Sequence, residues 1–213
     1  LIGIAVLVLV LIVLYRNNVL KQKTNKNLEA FNKEINHQKE LVEVKNKEIT
    51  DSINYAKRIQ QSILTSDAYF KKFTTYFFIL FKPKDIVSGD FYWAYNTPNN
   101  RSIFALADCT GHGVTGGFMS MLGNSFLNEI VVENKIFKAD EILNKLRSKI
   151  INALEQKGGT QQKDGMDISL CVWNKLDNSL EFSGANNPLW LYRHNELIEY
   201  KADKMPIGTY LET

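Results

Sequence analysis

The chain opens on an unbroken apolar run, LIGIAVLVLVLIVLY over residues 1–15, and then turns abruptly polar. As a helix at about 1.5 Å per residue this run measures only about 22 Å, against a hydrocarbon core of about 30 Å. Three readings compete: a signal-peptide h-region, a buried core helix, and a transmembrane helix cut at its N-terminus. A signal peptide wants basic residues before the run and a small-residue cleavage site after it. Here Tyr15, Arg16, Lys21, Lys23 and Lys26 follow instead. An aromatic residue and then a basic cluster favour the membrane span and place everything downstream in the cytoplasm by the positive-inside rule.

From residue 28 an apolar position recurs every seventh residue: Leu28, Ile35, Val42, Ile49, Ala56 and Ile63. The companion positions Phe31, Gln38, Lys45, Ser52 and Ile59 are mostly polar in the middle, so the seam is weaker than that of a structural zipper. It reads either as a solvated helix lying on the body or as a parallel dimeric coiled coil. In the second case β-branched residues in the seam favour two strands, and marginal stability suits a switchable linker.

Beyond residue 65 the period changes. Strand-like runs stand at 74–82 (TTYFFILFK), 86–95 (IVSGDFYWAY) and 102–108 (SIFALAD), broken by Pro83 and NTPNNR. Phe118, Leu122, Phe126 and Ile130 then recur at helical spacing. After Asp140 as N-cap, Leu143, Leu146, Ile150 and Leu154 do the same until Gly158 and Gly159. Strand patterns return at 167–174, 179–184, 188–193 and 197–201, with LDNS as a hairpin turn. Strands, two helices, strands: this predicts an α+β body with a mainly antiparallel sheet.

Composition narrows the function classes. With 213 residues, 45% hydrophobic and 23% charged, the chain is neither a disulfide-stapled miniprotein nor disordered. Residues 1–65 carry a net +4 and the remainder a net −1, so a nucleic-acid-binding body is not expected. Cys109 and Cys171 form no CxxC pair, which argues against a zinc ribbon and suits a reducing compartment.

Two aspartates stand beside glycine at strand-to-turn junctions, Asp90 in VSGDFYW and Asp108 in ALADCTGHG. After Asp108 come Gly111, His112, Gly113, Gly116 and Gly117, then a helix. Glycines such as Gly111 and Gly113 permit close backbone approach to a ligand, and a helix N-terminus favours an anion. The spacing is not that of a P-loop. Oxygen ligands point to Mg²⁺ or Mn²⁺; the competing reading is that both aspartates only cap turns.

The strings FKPKDIVSGDFYW, ALADCTGHGVTGGFMSMLG, DGMDISLCVWN and LEFSGANNPLW, in this order, resemble the SpoIIE/RsbU-type branch of the PPM (PP2C-like) metal-dependent serine/threonine phosphatases. The resemblance implies a PP2C-like sandwich of two antiparallel sheets flanked by helices, incomplete here, with two Mn²⁺ or Mg²⁺ ions between the sheets. It implies that Asp90 and Asp108 are metal ligands, Asp108 bridging both ions, with the backbone carbonyl of Cys109 beside them. On this chemistry a metal-activated water attacks phosphorus and no side-chain nucleophile is needed. His112 either donates a proton to the leaving serine oxygen or only hydrogen-bonds within its loop, and Lys84 either holds phosphate or is an exposed, solubilising lysine. Asp164 and Asp167 are expected at the rim, Asp167 structural. Relatives carry further metal aspartates in a later TDG-like segment and a final DD-T-like strand. The sequence ends at GTYLET before either, so alone it is expected to be inactive. ANNP stands where relatives show an AGHP-like turn, so Asn186 replaces a histidine.

The expected organisation is a transmembrane helix at 1–15, a basic exit and coiled-coil signalling linker at 16–65, and a partial phosphatase domain at 66–213. The expected function is the cytoplasmic phosphatase output of a single-pass protein of the inner membrane, homodimeric through its coiled coil. Its substrate would be a phosphoprotein, by resemblance an anti-sigma-factor antagonist of the STAS type. The alternative is a catalytically inactive PP2C-like module that sequesters a partner.

Overall fold

The computed structural model describes residues 2–72, 74, 76–155 and 164–209. The apolar run and the heptad segment form one helix, α1 (Ile2–Ile63), in a stretch with no proline and a single glycine, Gly3. The chain divides into two units, Leu1–Ser52 and Ile53–Thr213. In the first unit the side chains of residues 2–52 are exposed, including Leu28, Phe31, Ile35, Val42 and Ile49 of the seam. By length and composition its helix is apolar enough to cross a membrane, with a mean hydropathy of 2.1 over its most apolar window.

The second unit begins with the last turns of α1. A short helix, α2 (Asp67–Phe70), follows, capped by the Ser66 hydroxyl, which accepts from the Tyr69 amide at 3.3 Å. Then come β1 (Phe91–Asn96), β2 (Arg101–Cys109), α3 (Gly113–Leu127), a π-helical turn (Asn128–Glu133) and α4 (Ala139–Glu155). The strands β3 (Gly165–Asn174), β4 (Ser179–Ala185), β5 (Leu189–Arg193), β6 (Glu196–Tyr200) and β7 (Ile207–Gly208) complete it. A five-stranded antiparallel sheet runs β1-β2-β3-β4, with β7 paired to the start of β3. A second, two-stranded sheet is the β5–β6 hairpin. Its two-residue turn is His194–Asn195, both at positive φ, as a type I′ turn demands.

Register sorts the side chains into two rows. Ile103, Ala105, Ala107 and Cys109 stand opposite Val172, Leu170, Ile168 and Met166, and all eight are buried. Phe91 and Trp93 extend this row on β1. Against it packs α4 through Ala139, Ile142, Leu143, Leu146 and Ile150, the i, i+3, i+4, i+7 stripe of an amphipathic helix. Asp108 belongs to the other row, directly opposite Asp167. Sheet alternation therefore buries Cys109 and presents Asp108 to the opposite face.

Four sequence expectations change. Residues 86–90 are a loop, not the start of a strand, because the Ser88 N–H and C=O that a ladder would need are taken by the side chain of Gln60. At 76–81 the alternation is kept, with Phe77, Ile79 and Phe81 half-buried and Tyr76, Phe78 and Leu80 exposed. No strand among the described residues pairs with that segment. Helix α3 forms, but Phe118 is 64% exposed; the buried face is Gly116, Gly117, Met119, Ser120, Gly123 and Asn124. Small residues let the helix come close: a Cβ on Gly123 would lie 2.8 Å from the Met166 methyl and 2.9 Å from the Phe91 ring. Asp140 lies inside the first turn of α4, where it accepts from Lys138, and the Ala139 amide donates instead to Glu181 of β4 at 2.8 Å. Gly158 and Gly159, read as the stop of this helix, lie outside the described residues.

Candidate active site

Two loops carry the acidic pair. The first runs from Pro83 to Asp90 ahead of β1; the second, Thr110–His112, joins β2 to α3. They interlock through glycines. A Cβ on Gly89 would stand 2.8 Å from the Gly111 carbonyl oxygen and 3.2 Å from that of Cys109; one on Gly116 would stand 2.7 Å from the Gly111 oxygen and 2.8 Å from Gly89 Cα. Contacts of backbone on backbone cannot yield, so only glycine fits at 89 and 116. Gly111, at φ +85°, turns the chain between them.

The interlock brings Asp90 and Asp108 together, 18 positions apart in sequence. The Asp90 carboxyl is held above the usual carboxylate range, first by partial burial, then by the charge of Asp108 and a hydrogen bond with it. Cys109 lies within reach of both charges. Its thiol is pushed strongly upward, mainly by burial and then by Asp108 and Asp90, so the sulfur stays protonated. What Cys109 offers is its carbonyl oxygen, which faces Gly89. Two carboxylates forced together with a carbonyl alongside form a hard-oxygen donor set that suits a small dication. Among the described residues no group of three or more His, Cys, Asp or Glu side chains gathers as a metal site.

Beside the pair, Asp108, Cys109, Thr110, Asp164, Asp167 and Asn186 line a cavity of about 290 Å³. Asp164 and Asp167 thus lie at the rim expected of them. Asp164 accepts from the Thr110 hydroxyl at 3.3 Å, and the Gly165 amide donates to that hydroxyl at 3.0 Å. Asn186 donates from Nδ2 to Asp167 Oδ1 at 2.8 Å. That bond offsets the repulsion between Asp167 and Asp108, like charges directly opposite across the ladder. So Asn186, noted in the sequence as a departure, has a structural task.

His112 is the N-cap of α3, yet its ring makes no capping bond; Nδ1 lies 2.7 Å from Asp85 Oδ2. Gly113, at φ +62°, leaves its open side to the same Asp85 carboxylate, 3.4 Å from where a Cβ would stand. Lys84 is exposed next to Asp85 on the first loop.

Two residues escaped the sequence reading, Asp85 and Gln60. Gln60 is only 4% exposed. It donates to the Ser88 carbonyl at 2.6 Å and to Ser120 Oγ at 2.7 Å, and accepts from the Ser88 amide at 3.1 Å. Asn124 of α3 adds a bond from Nδ2 to the Ile63 carbonyl at 3.3 Å. The loop that delivers Asp90 is therefore fixed from the last turns of α1. A glutamine on a long polar helix gives no sign of such a role.

Over residues 98–213 the sequence matches the family described as Stage II sporulation protein E (SpoIIE). The chain belongs to the SpoIIE family. The SiaA-PP2C domain of Pseudomonas aeruginosa is 29% identical to it, with a TM-score of 0.67 over 76% of this chain and 64% of that one. The PP2C phosphatase domain of the cell-fate determinant SpoIIE from Bacillus subtilis, with a fragment of its regulatory domain, is 20% identical, with a TM-score of 0.47 over 57% of this chain and 34% of that one. This SpoIIE-family chain thus spans under two thirds of the length of either structure. No curated protein sequence matches it. The fold is α+β with antiparallel sheets, of the PP2C-like kind.

Proposed function

We propose that this SpoIIE-family domain is a metal-dependent protein phosphatase acting on phosphoserine or phosphothreonine, in which Asp90, Asp108 and the Cys109 carbonyl would hold Mn²⁺ or Mg²⁺. The observation that carries the reading is the forced meeting of Asp90 and Asp108 from two interlocked loops, with Asp90 raised first by burial and then by its neighbour. Close carboxylates are unfavourable by themselves and become favourable around a cation. Bound there, divalent ions supply a water of lowered pKa and neutralise phosphoryl oxygens.

The chain's own residues then have distinct tasks. Asp90 and Asp108 fix the ligand geometry because their loops cannot slide past Gly89, Gly111 and Gly116. Gln60 holds Ser88, two residues before Asp90. His112, four residues beyond Asp108, is the proton donor for the leaving oxygen, and Lys84, Gly111 and Gly113 face the substrate phosphate. In the whole protein, the apolar helix anchors the phosphatase to the inner face of the cytoplasmic membrane, and the heptad seam pairs two copies. The substrate class is a phosphorylated regulatory protein of the STAS antagonist type; the family membership supports this.

The test is hydrolysis of p-nitrophenyl phosphate by the intact protein with Mn²⁺ and with EDTA. Turnover that requires the ion is expected. Turnover that persists in EDTA contradicts the two-ion reading, and absence of turnover with the ion leaves the inactive binding module.

A further inference from the structure

Asp85 and His112 are 27 residues apart, yet they join the two loops of the acidic pair side chain to side chain at 2.7 Å. An N-cap side chain ordinarily turns back to the helix amides. The His112 ring makes no such bond, and the Thr115 hydroxyl donates to the His112 carbonyl at 3.1 Å. The residue is thus held at its backbone by α3 and at Nδ1 by Asp85. Both side chains stay in contact with water, 68% exposed for His112 and 42% for Asp85. A pair this exposed contributes little to stability. Its consequence is orientation: an ionised carboxylate only accepts, so Nδ1 carries hydrogen and Nε2 is the nitrogen left for chemistry.

We propose that Asp85 is the positioning residue for His112, fixing its ring so that Nε2 hands a proton to the leaving oxygen of the phosphate ester. The proposal rests on the phosphatase reading above. In the step, the water oxygen bonds to phosphorus and the bond from phosphorus to the ester oxygen breaks. The Nε2 proton of the imidazolium passes to that oxygen while Nδ1–H stays on Asp85. The proton lost by the attacking water returns to Nε2 through solvent, so ester and water give alcohol and phosphate.

The need for such a proton depends on the leaving group. Phenyl phosphate expels an oxyanion about as basic as tyrosinate, pKa about 10. The p-nitrophenolate ion leaves unaided because the nitro group delocalises its charge. In the intact protein with Mn²⁺, D85A and H112A should each lower kcat on phenyl phosphate by about 100-fold, within the range of a general acid. On p-nitrophenyl phosphate each loss should be at least tenfold smaller. D85E should recover part of the loss, and D85A/H112A should be no worse than H112A alone.

Equal losses on both esters would make Asp85 a loop-shaping residue and overturn the proposal, as would a D85A variant that keeps full activity on phenyl phosphate. A wild-type protein silent on both esters removes the phosphatase reading itself. Should D85A fold poorly, ¹⁵N-histidine spectra of the wild type decide, since the chain has only three histidines. Neutral His112 protonated at Nδ1 is expected; protonation at Nε2 overturns the assignment.

Discussion

Replacing Gln60 with leucine removes its amide and leaves an apolar side chain one atom shorter. Three hydrogen bonds go: two with Ser88 and one with Ser120. Ser120 keeps its bond to the Gly117 carbonyl at 2.9 Å, so its hydroxyl remains paired. Ser88, itself buried, is left with N–H and C=O both unsatisfied. At about 1–3 kcal/mol for each of the two orphaned buried groups, the loss is about 2–6 kcal/mol. Asp90 lies two residues on, so the cost falls on the segment that presents a ligand. Hydrogen exchange of the Lys84–Asp90 peptide in the intact protein is the local assay. The Ser88 amide should exchange at least about 30-fold faster in Q60L, since each 1.4 kcal/mol is a factor of ten, and the apparent affinity for Mn²⁺ should fall with it. Unchanged exchange in that peptide, together with a stability change below about 0.5 kcal/mol, would refute the idea that the last turns of α1 fix this loop.

Other expectations are briefer. In G116A the new methyl meets two backbone atoms inside 2.8 Å and should cost about 2 kcal/mol or more in urea unfolding; G117A meets Val87 Cγ1, a side-chain methyl, so V87A should rescue it but not G116A. With ions removed by EDTA, stability should fall as pH rises from below 3.8 through the raised Asp90 value, because the folded state holds that proton more tightly than the unfolded chain. D90N should flatten this slope, and an unchanged slope contradicts the assignment. Cys109 and Cys171 should both resist thiol reagents at pH 8 in the folded protein, since both are buried and burial raises both thiols, Cys171 to about 12. Rapid labelling of either would contradict that burial.

What could be read in the sequence was whatever periodicity encodes. The Ile103–Cys109 and Met166–Val172 rows declare themselves by alternation, α4 by its stripe, and the acidic pair by a strand running into glycines. The burial of α3 was only partly legible that way, because beside Met119 and Leu127 its packed face is made of Gly116, Gly117, Ser120, Gly123 and Asn124, which no hydrophobicity pattern marks. Residues 86–90 look like a strand in isolation and become a loop because a glutamine 28 positions earlier takes the Ser88 backbone. Asp85 is similarly invisible: its meaning comes from a histidine that the fold, not the local sequence, brings to it.

The most direct test is Mn²⁺ binding to the intact protein, followed by electron paramagnetic resonance as the free-ion signal is lost on titration. Wild type should take up Mn²⁺, and D90N and D108N should each weaken uptake at least tenfold. Wild-type uptake that both variants retain in full would contradict the assignment of Asp90 and Asp108 as the metal site.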